Sequence, residues 1–261
     1  MKKFSSFLVV LLLALVSSTA SAQSYPRGDV DQDGAVNISD LSCLIDYLLS
    51  GSWPDEPVTP PDGHDWVDLG LPSGTLWATC NVGANAPEEY GDYFAWGETA
   101  PNDYYDWEWS NYKWCNGSER TMTKYCTNSN YGYNGFVDNK TELDPEDDAA
   151  YVNWGPSWRM PTTEQQQELI DNCTSVWTTQ NGVNGRLFTG SNGNTLFLPA
   201  AGSRWESLND AGSHGFHWSR TLYSSRPYNA YLLDFGSDYI HRPYYLRAMG
   251  LPVRAVRVSQ N

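Results

Sequence analysis

The chain is poor in positive charge, in histidine and in long apolar runs, and each shortage excludes something. Sixteen Lys and Arg face 31 Asp and Glu, a formal net charge of −15. Residues 1–22 hold two of those lysines and no acid, so the remainder sets fourteen bases against 31 acids, a balance of −17. Nucleic acid and anionic membranes need a basic footprint, and none is present. Past residue 22 nothing is apolar for the roughly 20 residues a transmembrane helix takes. There are only four histidines. His214 and His217 have a metal-ligand spacing but no third candidate nearby, so a structural loop is the plainer expectation. The five cysteines contain no C-x-x-C, which removes a redox pair and a zinc knuckle. G-x-S-x-G, the Walker loop, the dinucleotide fingerprint and H-E-x-x-H are missing as well. The acid runs Glu88-Glu89 and Glu146-Asp147-Asp148 could be drawn into a two-carboxylate glycosidase scheme. In so acidic a chain they read as solvated surface, and the chain reads as a non-enzyme.

What is present begins at the first residue. MKKFSSFLVVLLLALVSSTASA sets two lysines before an apolar run, Phe7–Val16, and closes on Ala20-Ser21-Ala22. This is the grammar of a secretory signal peptide over 1–22, and it predicts a secreted, periplasmic or cell-surface protein. Export makes disulfides possible. Cys43, Cys80, Cys115, Cys126 and Cys173 are odd in number, so at least one lacks an intrachain partner. Cys115 with Cys126 would close a short loop and Cys80 with Cys173 a long one; spacing does not choose. For Cys80 a buried free thiol is an equal expectation.

Residues 27–50 form an acidic unit around Asp29-Val-Asp31-Gln-Asp33-Gly34-Ala35-Val-Asn37-Ile-Ser-Asp40. Calcium takes six to eight oxygens, and a twelve-residue loop offers them at positions 1, 3, 5, 7, 9 and 12. Asp29, Asp31 and Asp33 fill the first three, Ala35 offers its carbonyl, Asn37 the ninth position and Asp40 the last, while Gly34 allows the turn. Leu41, Leu44, Ile45, Leu48 and Leu49 follow at helical spacing. A calcium loop followed by a helix, with Asp at the last ligand, resembles one repeat of a dockerin. The resemblance implies bound calcium and a cohesin-like partner; dockerins carry the unit twice and this chain once. Residues 51–63 have four prolines in thirteen positions, a semi-rigid spacer.

The remainder, 64–261, is long enough for a sizeable core. Its first part, 64–153, has 16 acids and 4 bases, and 154–261 has 7 acids and 9 bases, so an anionic ligand fits the second part better. Thr75–Val82 alternates as a strand does. Arg186–Thr189 and Thr195–Leu198 flank a Gly- and Asn-rich turn and read as a hairpin. Tyr228–Phe235 and Val253–Val258 read as further strands. Thr162 and Gln165 form a capping box ahead of Leu169, Ile170 and Cys173 on one helical face. The expected fold is α+β, short strands with one or two helices, plus the small N-terminal calcium loop-helix unit.

A series of blocks runs through this domain: Val67-Asp-Leu-Gly-Leu-Pro-Ser-Gly-Thr-Leu-Trp-Ala-Thr-Cys-Asn-Val-Gly83, Tyr90-Gly-Asp-Tyr-Phe-Ala-Trp-Gly-Glu98, Asp147-Asp-Ala-Ala150, Trp158-Arg-Met-Pro-Thr162, Leu196-Phe-Leu-Pro-Ala-Ala-Gly-Ser-Arg204, Gly215-Phe-His-Trp-Ser219 and Val253-Arg-Ala-Val256. In content and order they resemble the Fibrobacter succinogenes major paralogous domain, a secreted DUF1566-related family. The resemblance implies a C-type-lectin-like or formylglycine-generating-enzyme-like α+β fold, with adhesion and glycan binding as its suspected roles. The oxidation chemistry of the formylglycine-generating relatives needs cysteines in the C-terminal part, and none follows Cys173. The Glu-Pro-Asn, Gln-Pro-Asp and Trp-Asn-Asp tripeptides of calcium-dependent lectins are missing too.

The remaining signal is aromatic: 12 Trp, 17 Tyr and 8 Phe. Six aromatics crowd 104–114, where Trp107, Trp109 and Trp114 could form a sugar-binding platform or simply pack. A regular strand could not hide all three, because Trp114 has the opposite parity. Trp205, Trp218 and Arg220 are a second candidate patch. The leading expectation is an exported binding or adhesion protein recognising carbohydrate or glycoprotein at the cell surface. The alternatives are an assembly protein docking a cohesin-like partner through 27–50, and a polysaccharide hydrolase.

Overall fold

The computed structural model describes residues 63–101 and 107–258. The signal segment 1–22, the calcium loop with Asp29, Asp31, Asp33, Ala35, Asn37 and Asp40, Cys43, nearly all of the proline-rich spacer, and Tyr104 to Asp106 lie outside the described residues. Contacts divide the chain into two units, Met1–Thr59 and Pro60–Asn261.

In the second unit the described strands are β1 (Trp66–Asp68), β2 (Thr75–Ala78), β3 (Thr174–Gln180), β4 (Val183–Thr189), β5 (Thr195–Pro199), β6 (Ser203–Arg204), β7 (Leu208–Asn209), β8 (Gly215–Leu222), β9 (Asn229–Phe235), β10 (Ile240–His241), β11 (Tyr244–Leu246) and β12 (Val256–Val258). Two α-helices, α1 (Ala149–Trp154) and α2 (Thr163–Asn172), and two short 3-10 turns, Tyr133–Gly135 and Pro145–Asp147, complete the described set. Every strand pairing is antiparallel. The sheets are β1-β2-β12, β3-β4-β5 and a β8–β9 pair whose far edge takes β10 and β11, with β6-β7 as a small ribbon. The class is α+β, dominated by short strands.

Local chemistry sets the elements the sequence announces. Thr162 accepts from Gln165 N at 3.1 Å and donates its own N–H to Gln165 Oε1 at 2.9 Å, so the capping box starts α2. Leu169 is buried, with Ile170 and Cys173 packed beside it. Across the hairpin Thr189 faces Thr195, and Gly193 closes the turn at φ +87°, where a Cβ would be strained. β2 stops at Ala78 rather than running to Val82. Beyond it the backbone leaves the ladder to meet the segment before β12, Ala78 N donating to Ala255 O and Val82 N to Val253 O.

The core lies on both faces of β2. Trp77 packs with Leu69, Phe188, Leu198 and Phe235 on one side, Ala78 with Trp96, Trp158 and Trp218 on the other. Trp96 Nε1 donates to Ser219 O and Trp218 Nε1 to Phe94 O, both at 2.8 Å, whereas the buried Nε1 of Trp77 has no hydrogen-bond partner among the described residues. The long irregular stretch between β2 and α1 is tied down by two buried arginines. Arg254 donates to Asn81 Oδ1 (2.8 Å), Thr79 O (2.6 Å) and Ala78 O (3.1 Å). Arg247 donates to Tyr112 Oη and Pro227 O, each at 2.8 Å, and stacks 4.7 Å from the Trp96 ring centre. Cys80, Cys115, Cys126 and Cys173 are free thiols, so neither the short nor the long expected pairing forms. Cys80 is half-buried, and burial raises its thiol above the ordinary range.

Candidate functional site

The structure takes Trp107 out of the aromatic platform and leaves Trp109 and Trp114 half-buried. Residues 107–114 form turns, not a strand. Trp107 is 3 % exposed. Its ring lies against the backbone of Gly250, where a Cβ would come within 2.5 Å. Trp114 is half-buried, donates Nε1 to Gly97 O at 2.7 Å, and has the ammoniums of Lys113 and Lys124 at 4.3 and 5.0 Å from its ring centre. Trp109 is half-buried, edge-on to Tyr112 at 5.7 Å. In the second patch Trp218 is fully buried, and Trp205 is half-buried against the cluster around Met122. Trp107 and Trp218 thus offer no face to a ligand: the first sits in turns, where strand parity does not govern direction, and the second on the stretch of β8 that is covered on both faces. Arg220, like Trp109, Trp114 and Trp205, is partly exposed; it donates Nε to Glu142 Oε2 at 3.0 Å and Nη1 to Met160 O at 2.9 Å.

The acid runs are solvated only in part: Glu89 and Glu146 are exposed and Glu88 partly so, whereas Asp147 and Asp148 turn inward. Asp147 is buried and accepts from Lys124 Nζ at 2.6 Å and Tyr125 Oη at 2.7 Å. Asp148 is buried, caps α1 through Ala150 N and Tyr151 N, and pairs with Arg159 Nε at 2.8 Å. Glu88 accepts from Asn181 Nδ2 at 2.6 Å, which lowers its pKa. These carboxylates hold loops together. His217 is enclosed beside Phe235, and His214 stacks on Phe216. Among the described residues no three His, Cys, Asp or Glu side chains gather as a metal site.

An open cleft of about 480 Å³ lies at the junction of α2, β8 and the β10–β11 turn. One wall is built where residues 141–143 lie along β8: Leu222 N donates to Thr141 O, Leu143 N to Arg220 O, and Glu142 pairs with Thr221. The first turn of α2 supplies Thr163 and Glu164, and Thr163 N donates to Thr221 Oγ1 at 3.1 Å. Arg242, in the turn between β10 and β11, closes the end. It donates Nε to Gln167 Oε1 at 2.8 Å and Nη1 to Thr163 O and Oγ1 at 2.5 and 2.6 Å. Tyr231 lines the cleft, as do Leu222 and Ser224 on either side of Tyr223. Tyr223 meets Tyr231 edge-on at 5.4 Å and stacks on Tyr244 at 3.8 Å, the rings 6° from parallel. Tyr244 is 37 % exposed.

The lining is rich in hydroxyls and carries both charge signs. Glu142 is neutralised by Arg220, whereas Arg242 has no carboxylate within ion-pair distance among the described residues. Such a surface can exchange hydrogen bonds with a polyhydroxylated ligand and lay an aromatic ring beside it; it has no histidine or cysteine to supply a nucleophile–base pair. Of the six ligand-binding residues expected from the sequence only Arg220 touches this wall. Arg242, Tyr223, Tyr231 and Tyr244 gave one faint signal, the shift toward basic residues after 153. No family model, curated protein or solved structure matches the chain.

Proposed function

We infer that this is an exported, non-enzymatic binding protein whose 64–261 domain recognises carbohydrate or glycoprotein at the cell surface. The observation that carries the reading is the hydroxyl-lined cleft beside the stacked, partly exposed Tyr223–Tyr244 pair. Sugars present hydroxyls at their edges and C–H groups on their faces, and this wall offers a partner for each. The seven sequence blocks support a C-type-lectin-like arrangement of the short strands. The missing calcium tripeptides fit a cleft that works through Arg, Thr and Tyr side chains instead. In this reading calcium belongs to 27–50, where Asp29, Asp31, Asp33, Asn37, Asp40 and the Ala35 carbonyl supply hard oxygen donors.

A glycan array probed with the whole chain and with Tyr244→Ala tests the reading. Binding is expected to weaken about tenfold, equivalent to about 1.4 kcal/mol, with an unchanged melting temperature because the ring is at the surface. An array on which the unaltered chain binds nothing overturns it.

A further inference from the structure

Arg242 is an arginine prepared for a ligand in a chain that has acids to spare. Its Nε and Nη1 are held by three neutral acceptors, Gln167 Oε1, Thr163 O and Thr163 Oγ1, which fix the plane of the guanidinium. Those acceptors orient the group without cancelling its charge. With 31 acids available, no carboxylate lies within 4.0 Å of it among the described residues. Every other basic side chain on this wall is already neutralised, since Arg220 pairs with Glu142 at 3.0 Å. Nη2 makes no hydrogen bond to a described residue, and its two N–H groups remain to donate to a ligand in the cleft that Arg242 lines. A charged N–H donor forms short, strong hydrogen bonds to a carboxylate oxygen.

We propose that the Arg242 end of the cleft takes the carboxylate of an acidic sugar, a uronate residue of a glycan, while Tyr223 and Tyr244 border its ring. The inference rests on the carbohydrate reading above and adds the class of sugar. Glu164 also lines the cleft and is exposed to water, which screens it. Its presence suits one carboxylate per site and opposes a densely charged polyanion.

Titration calorimetry on the whole chain tests this with four probes: tri-galacturonate, its methyl ester, neutral galactotriose and a sulfated galactotriose. The expected result is affinity for the uronate at least tenfold above that for the ester. Arg242→Gln should erase this difference and Arg242→Lys, which keeps the charge and loses the bonds that hold the guanidinium in its plane, should restore part of it. Equal affinity for acid and ester overturns the carboxylate assignment and leaves the carbohydrate reading standing. Tighter binding of the sulfated sugar than of the uronate also overturns it. No binding of any of the four overturns both. Should Arg242→Gln fail to fold, acid against ester on the unaltered chain still supports or overturns the assignment.

Discussion

His217 sits on β8 with both ring nitrogens enclosed and without a hydrogen-bond partner among the described residues, its ring stacked on Phe235. Burial, aided by the charge of Arg254, lowers its pKa from 6.5 to about 3. The folded chain therefore keeps the imidazole neutral where the unfolded chain takes up a proton. Between pH 6.5 and about 3 the unfolded state binds more protons, so stability falls as the pH falls, by up to about 1.4 kcal/mol per pH unit. Asp234 runs the other way. Burial raises its pKa above 3.8, so its contribution is complete below that value and fades as the pH rises through the folded one. Melting curves from pH 7 to 4 should show His217→Leu losing less stability than the unaltered chain; parallel curves would contradict the account. Sequence reading places His217 in a loop. Its burial on a strand is not legible there, because Gly215–Leu222 is covered on both faces over its first five residues and shows no alternation. Trp96 and Trp158 are legible as packing and are fully buried. Trp107 is not, since its partner is the backbone of Gly250, far along the chain.

Elements written in short-range chemistry are the ones the sequence announces. The capping box of α2 and the Asn- and Gly-bearing hairpin between β4 and β5 depend on residues within a few positions of each other. β3 has no such signal: Thr174–Gln180 is a strand because β4 pairs along its whole length. The alternation around β2 predicts a longer strand than forms, for it continues past the point where the partner strand ends. α2 gives a direct test. Removing the side-chain acceptor with Thr162→Ala should destabilise the domain by about 1 kcal/mol, seen as a lower denaturation midpoint with an unchanged slope. Thr162→Ser should restore the midpoint. An unchanged midpoint in the Ala variant would show that tertiary packing alone sets the start of this helix. The same helix start carries the acceptors for Arg242. The cleft is invisible in the sequence for a physical reason: its walls come from 141–142, 163–164, 221–224 and 242, segments that only the fold brings together.

At the scale of the molecule, the calcium unit and the described domain make separable demands. Calcium is expected to bind 27–50 through its converging carboxylates, and a single repeat should bind weakly. Asp31→Ala with Asp33→Ala should abolish the heat of calcium binding in the whole chain and leave sugar affinity at the Tyr244 cleft as it was. Calcium heat surviving the double substitution would remove the loop assignment, and sugar binding lost on adding a chelator would show that the two parts act together.

The buried arginines carry a consequence in time. Arg254 reaches back to Asn81 and Thr79 across separations of 173 and 175 residues, and β12 completes the sheet begun by β1 and β2. Contacts so remote in sequence form slowly, because a long loop must close before any of them is made. The first core strand thus stays unpartnered on one side until nearly the whole domain has been synthesised. A chain delayed in this way stays extended for longer, and it commits to its final shape only once its last strand is available.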